Sequence, residues 1–117
     1  MYLKVNDGNK DFYYKFSDSK EVTIGRGSKN DIVCIAEGVS RNHLRVFSKN
    51  GEFFIEDLGT TNGTFINDVK VEPKTQHSLN TFFPVRMGFY ATVNLCDESD
   101  IERLEQNVAS TKEDLDS

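Results

Sequence analysis

Short apolar runs, broken by turn residues about every ten positions, constrain this chain more than any other feature. Residues 2–5 and 12–16 flank the polar stretch Asn6-Asp7-Gly8-Asn9-Lys10-Asp11, which reads as a hairpin with a glycine in its turn. Residues 22–24 and 32–35 bracket the loop Gly25-Arg26-Gly27-Ser28-Lys29-Asn30-Asp31. Residues 43–47 and 53–56 are joined through Asn50-Gly51, a strong hairpin signal, and 65–66 and 69–71 close around Asn67-Asp68. Two further runs, 82–87 and 89–95, turn near Gly88. Pro84 inside an apolar run points to an edge strand or a bulge, because proline cannot donate to a ladder. No helical periodicity precedes residue 97, so the body is expected to be an all-β sandwich or barrel.

The last segment is of another kind. Residues 97–117 hold eight of the nineteen acids and two of the fourteen bases, so the body is close to neutral and the tail acidic. Ser99-Asp100-Ile101-Glu102 has the form of a capping box. Ile101, Leu104, Val108, Thr111 and Leu115 then recur at spacings of three and four, an amphipathic helix with a narrow apolar stripe. The expected organisation is therefore a sandwich over 1–96 and an acidic helix or linker over 97–117. That helix either lies on the sandwich or leads into further domains of a longer parent protein.

Composition excludes several classes. A body this near neutral is not a basic nucleic-acid footprint, and no apolar run approaches the roughly 20 residues of a membrane span. Two His and two Cys are scattered without metal-ligand spacing, and no GxGxxG opens a helix, so neither a metal nor another cofactor is expected. Cys34 and Cys96 are expected as reduced thiols in a cytoplasmic or nuclear protein.

Three loops carry groups suited to a phosphorylated side chain. A phosphate carries about −1.5 to −2 charge and three acceptor oxygens, so its site needs arginine, short hydroxyls and free amides on a rigid scaffold. Gly25-Arg26 follows a strand, with Ser28 and Lys29 on the same loop as candidate flanking contacts. Ser40-Arg41-Asn42-His43 enters the next strand and supplies a hydroxyl, a second cation and an imidazole placed to bond loop backbone. Asp57-Leu58-Gly59-Thr60-Thr61-Asn62-Gly63-Thr64 supplies Thr61 and the amide of Asn62 beside a tight turn.

Gly-Arg, then Ser-Arg-x-His, then Thr-Asn-Gly-Thr, in that order between short strands, resembles the forkhead-associated (FHA) family over residues 2–96. The resemblance implies an FHA-type sandwich of about eleven strands whose loops bind phosphothreonine peptides. It implies that Arg26 and Ser40 hold the phosphate, that Thr61 assists and that Asn62 bonds the peptide backbone. Arg41 would touch phosphate or a flanking residue, while Gly25, His43 and Gly63 would shape the loops. Where many members carry a Gly-Asp turn before the penultimate strand, this chain reads His77-Ser78-Leu79-Asn80-Thr81.

Two rivals follow from the same residues. Ser40, His43 and Asp57 are the residue types of a hydrolase triad, but no nucleophile elbow accompanies them, so an enzyme is not expected. A phosphate-independent interaction or dimerisation domain controlling a fused effector is the alternative. The expected partner is a phosphothreonine protein or peptide, with the chain's own tail, phosphorylated at Thr111, as a further candidate.

Overall fold

Alternation in the sequence becomes alternation in the pleat. In β1 (Tyr2–Asn6) Leu3 and Val5 are buried, and in β11 (Ala91–Cys96) Ala91, Val93 and Leu95 are, while their neighbours face outward. The structure is a computed structural model that describes residues 1–16, 20–81 and 83–99. The described residues form eleven strands, the other nine being β2 (Asp11–Lys15), β3 (Glu21–Gly25), β4 (Ile32–Val33), β5 (Leu44–Lys49), β6 (Glu52–Asp57), β7 (Thr64–Ile66), β8 (Val69–Lys70), β9 (Gln76–Leu79) and β10 (Val85–Met87).

They make two sheets, β2-β1-β11-β10-β7-β8 and β4-β3-β5-β6-β9. The inward residues of both, with Leu3, Ile24, Leu44, Val46, Ile55, Met87 and Val93 fully buried, form one core between them. This is the expected all-β sandwich. Asn50-Gly51 and Asn67-Asp68 take positive φ at both positions, as the two-residue turns that match strand twist require.

The local pattern misplaced some elements. β9 has no apolar alternation of its own and buries only Leu79, so no local pattern marks it as a strand; pairing with β6 makes it one. Pro84 lies just before β10, which sits between β11 and β7 inside its sheet, so the proline marks a strand entrance rather than an edge or a bulge. Residues 88–90 form a turn, and the last strand starts at Ala91 rather than at Phe89. The tail helix falls from residue 100 onward outside the described residues. Cys34 and Cys96 form no disulfide, and burial, with the charge of Asp7, pushes the Cys34 thiol up to about 11.

Three polar side chains, His43, Asp57 and Thr64, lie in the interior beneath one end of the sandwich. The Ser40 N–H donates to His43 Nδ1 at 3.0 Å, which leaves Nε2–H as the ring's donor. Nε2 meets the Gly63 carbonyl and Thr64 Oγ1, each at 3.1 Å. The Thr64 hydroxyl in turn donates to Asp57 at 2.6 Å. Asp57 also accepts from the amides of Gly59 and Thr60 and from the Thr60 hydroxyl, at 2.8, 3.0 and 2.8 Å. No described buried side-chain nitrogen or oxygen lacks a partner, so the network is satisfied and its low-dielectric setting strengthens it.

Burial pushes the His43 imidazole below its usual 6.5, against the opposing pull of the Asp57 charge and the Gly63 carbonyl. Burial also acts to raise Asp57, but the hydrogen bonds from Thr64, Thr60 and Gly59 outweigh it and hold the carboxyl below 3.8. Both folded values are depressed, so the unfolded chain binds each proton first and stability falls on acidification. Urea midpoints are expected to decline below about pH 6.5 through His43 and further below 3.8 through Asp57. His43→Gln should cost about 1–3 kcal/mol at neutral pH by leaving buried partners unmet. It should also flatten the decline between pH 4.5 and 6.5; a variant with the parent's full slope in that window would refute the assignment.

Candidate functional site

The loops above this network are stitched to one another mostly by backbone. The Arg26 N–H donates to the Ser40 carbonyl and the Gly27 N–H to the Arg41 carbonyl, both at 3.0 Å. A Cβ on Gly25 would run into the Arg41 carbonyl oxygen, so only glycine lets the first loop lie this close to the second. Asn30 reinforces the seam, donating from Nδ2 to the carbonyls of Gly27 at 2.8 Å and Arg41 at 2.7 Å. Asp31 closes the first loop back onto Thr23.

The third loop joins the second through side chains. Asn62 Nδ2 donates to the Gly38 carbonyl at 3.1 Å, and the Thr61 N–H reaches Ser40 Oγ at 3.4 Å. Gly88 completes the cluster with φ +63°. A Cβ there would stand 2.7 Å from the Gly38 oxygen, and the Phe89 N–H donates to the Glu37 carbonyl at 3.3 Å. The β10–β11 turn is thereby locked onto the segment that precedes Ser40.

Between these loops opens a cavity of about 1170 Å³, lined by Arg26, Gly27, Ser28, Lys29, Gly38, Val39, Ser40, Arg41, Asn42, Thr61, Asn62 and Phe89. All five residues expected to bind, Arg26, Ser40, Arg41, Thr61 and Asn62, are brought together there, with the flanking candidates Ser28 and Lys29. Gly25 and His43 lie beneath them, and Gly63 is buried at the base of the third loop with φ +85°. The stem of Arg41 passes over Gly27, whose Cβ would stand 2.7 Å from Arg41 Cγ.

The lining holds no Asp or Glu. The ion pairs among the described residues, Lys4–Asp11, Arg45–Glu21 and Arg45–Glu56, all lie elsewhere. Arg26, Lys29 and Arg41 therefore face one space with no described carboxylate to neutralise them. Such a cavity suits a multiply charged anion, and it is far larger than a phosphate, leaving room for the chain that carries one.

The structure also separates Ser40, His43 and Asp57 in function. Both ring nitrogens of His43 are engaged, one by the Ser40 amide rather than its hydroxyl, and Asp57 reaches Thr64 instead of the ring. These are the bonds of a loop staple, not of an activated nucleophile. No group of three potential metal ligands occurs among the described residues.

Sequence reasoning missed the supporting residues. Asn30 and Thr60 act only through contacts made in the fold, and Asn42 was passed over within its own motif. Phe89 read as the start of a strand, yet it stands in a turn with its ring on the cavity wall. The signal for Asp57 was present: an Asp two residues before Gly-Thr is placed to cap the turn with its carboxylate.

Residues 22–88 match the sequence profile of the FHA domain. The chain is 32% identical over 87 residues to FhaB, an FHA domain-containing protein of Mycobacterium tuberculosis, covering 74% of this chain and 55% of that protein. It spans between a fifth and about half of the length of the first curated relatives it matches. Its backbone superposes on the FHA domain of CT664 from Chlamydia trachomatis with a TM-score of 0.73 at 26% identity, covering 82% of this chain and 95% of that one. The FhaA FHA domain, solved in complex with the intracellular domain of another protein, superposes with a TM-score of 0.66 at 26% identity, covering 80% and 96%. With its family motifs on the loops that ring one cavity at the end of a two-sheet sandwich, the chain belongs to the FHA domain family.

Proposed function

We propose that the chain is a protein-interaction module that reads phosphothreonine through the cavity at its loop end. The observation that carries this is the uncompensated cationic lining: Arg26, Lys29 and Arg41 around the Ser40 and Thr61 hydroxyls, without an acid. Arg26 and Ser40 hold the phosphate and Thr61 assists them. Arg41 reaches phosphate or a neighbouring residue, with Ser28 and Lys29 at the flanks. Asn62 keeps its carbonyl and one N–H for the peptide backbone after its bond to Gly38.

Residues 1–96 are the binding unit in this reading, and 97–117 the acidic link to whatever effector the module serves. The module acts in signalling, in the cytoplasm or the nucleus, without catalysis of its own, and no described helix is long and apolar enough to cross a membrane. Thr111, in the acidic segment, is a candidate phosphorylation site for the module's own cavity.

Phosphothreonine peptides with randomised flanks, compared with unmodified and phosphoserine versions, test the proposal directly. Binding is expected only with phosphate present, and with threonine ahead of serine; equal affinity for phosphorylated and unmodified peptides would sink it. Arg26→Ala and Ser40→Ala should each lose about tenfold or more, since a charge-assisted hydrogen bond contributes ~1.5–3 kcal/mol. The exposed side chain of Arg26 means its removal should leave the melting temperature unchanged. Affinity should also fall below about pH 6, where the phosphate loses its second charge.

A further inference from the structure

The strand β2 presents an open sheet edge whose sequence, Asp11-Phe12-Tyr13-Tyr14-Lys15, is complementary to itself when reversed. All five residues are exposed, including three consecutive aromatics, Phe12, Tyr13 and Tyr14, at 40%, 43% and 37%. Isolated exposed apolar residues need no explanation, but three in a row on an edge that no described strand pairs with are a surface that proteins ordinarily guard. β2 is also longer than the other edge strands, β8, β4 and β9.

The backbone parity of that edge is fixed by its pairing with β1. The Phe16 N–H donates to the Met1 carbonyl and the Asp7 N–H to the Lys10 carbonyl. In the register Leu3↔Tyr14 and Val5↔Phe12, these bonds make the hydrogen-bonded partners residues 1 and 16, 3 and 14, 5 and 12, and 7 and 10. The amides and carbonyls of Asp11, Tyr13 and Lys15 therefore point away from β1, toward the open edge.

We propose that two copies of this chain associate through β2, antiparallel, about a two-fold axis at Tyr13. That register sets Tyr13 against its own copy and Asp11 against Lys15 at both ends. These three pairs use the outward-pointing backbone groups, each pair exchanging two hydrogen bonds. It places opposite charges across from one another on the outer face, where they attract, and Phe12 across from Tyr14 on the other face. Those two fall at the non-hydrogen-bonded positions, where side chains approach most closely. A shift of one residue would lose the charge pairing and present the wrong backbone parity at once. The interface is isologous, so it closes at two copies. The surface lies apart from the phosphate cavity, and the inference does not rest on the proposed function.

Sedimentation velocity of the full chain across a concentration series tests it, with folding checked by circular dichroism. The apparent mass should rise from one chain to two with concentration. Lys15→Glu, which sets like charges opposite each other twice, should raise the dissociation constant tenfold or more, and so should Asp11→Lys. The double swap Asp11→Lys with Lys15→Glu restores opposite charges in the same register and should return the constant to within about threefold of the parent. If a charge variant fails to fold, Tyr13→Pro replaces it. The Tyr13 N–H faces the open edge, so its loss spares the ladder to β1 and should leave a folded monomer. A chain that stays monomeric to millimolar concentration, or a dimer that the single charge variants leave intact or the double swap fails to restore, would overturn the proposal.

Discussion

A neutral imidazole in the interior ties the binding loops of this domain to its core. His43 has no exposed surface, and its ring nitrogens meet a different loop on each side: the Ser40 amide on one, Gly63 and Thr64 on the other. Only the uncharged tautomer can accept at Nδ1 and donate at Nε2 together. A protonated ring would set a donor against the Ser40 N–H. The burial that depresses the His43 pKa therefore favours the neutral ring whose bonds join the second and third loops. Asp57 anchors the far end of the same chain of bonds and fixes the Thr60 turn from which Thr61 and Asn62 project.

A cavity that is to take an anion must hold its donors ready, because ordering flexible loops around the anion would consume the free energy of binding. Here the ordering is done by contacts that leave the arginine side chains unused. Backbone seams and tight glycine approaches at Gly25 and Gly88 fix the loops, and Asn30 and Asn62 tie them across. Arg26, Lys29 and Arg41 are thereby left without a carboxylate partner among the described residues. Arg45 shows the contrast. It is held between Glu21 and Glu56 on the outer face of the other sheet and lies over Phe47, fully committed to the scaffold. Arg26 has no such acid, and that difference separates a structural arginine from one available to a ligand.

Most of the fold was legible in the sequence because hairpin turns and period-two burial are local. Asn50-Gly51 and Asn67-Asp68 announce their turns through the backbone they require. The failures share a cause. β9 is a strand because β6 offers it a ladder, and Phe89 is a turn residue because Gly88 packs on Gly38, neither of which a local pattern encodes. For the site, the arginines and hydroxyls that face the cavity were readable, since Gly-Arg, Ser-Arg-x-His and Thr-Asn-Gly-Thr follow one another in order between short strands. The residues that hold them, Asn30, Thr60 and Gly38, are ordinary loop types whose roles depend on contacts between distant segments.

Pairing through β2 has a geometric consequence for any phosphorylated segment of the chain itself. The β1–β2 turn lies at the loop end of the sandwich, where Gly8 approaches Tyr90, and β11 runs from that end to Cys96 at the other. A segment leaving Cys96 must travel back along the sandwich, about 17 Å for a six-residue strand, to reach its own cavity. In an antiparallel pair, Lys15, two strands across from Cys96, stands opposite Asp11 of the second copy. The exit of one chain then lies at the same end of the assembly as the loops of the other. Reading in trans is then open to the tail alongside reading in cis. Concentration would select between them, because only the second route requires the pair. The edge strand and the loop-end cavity, independent as surfaces, would then act on the same tail.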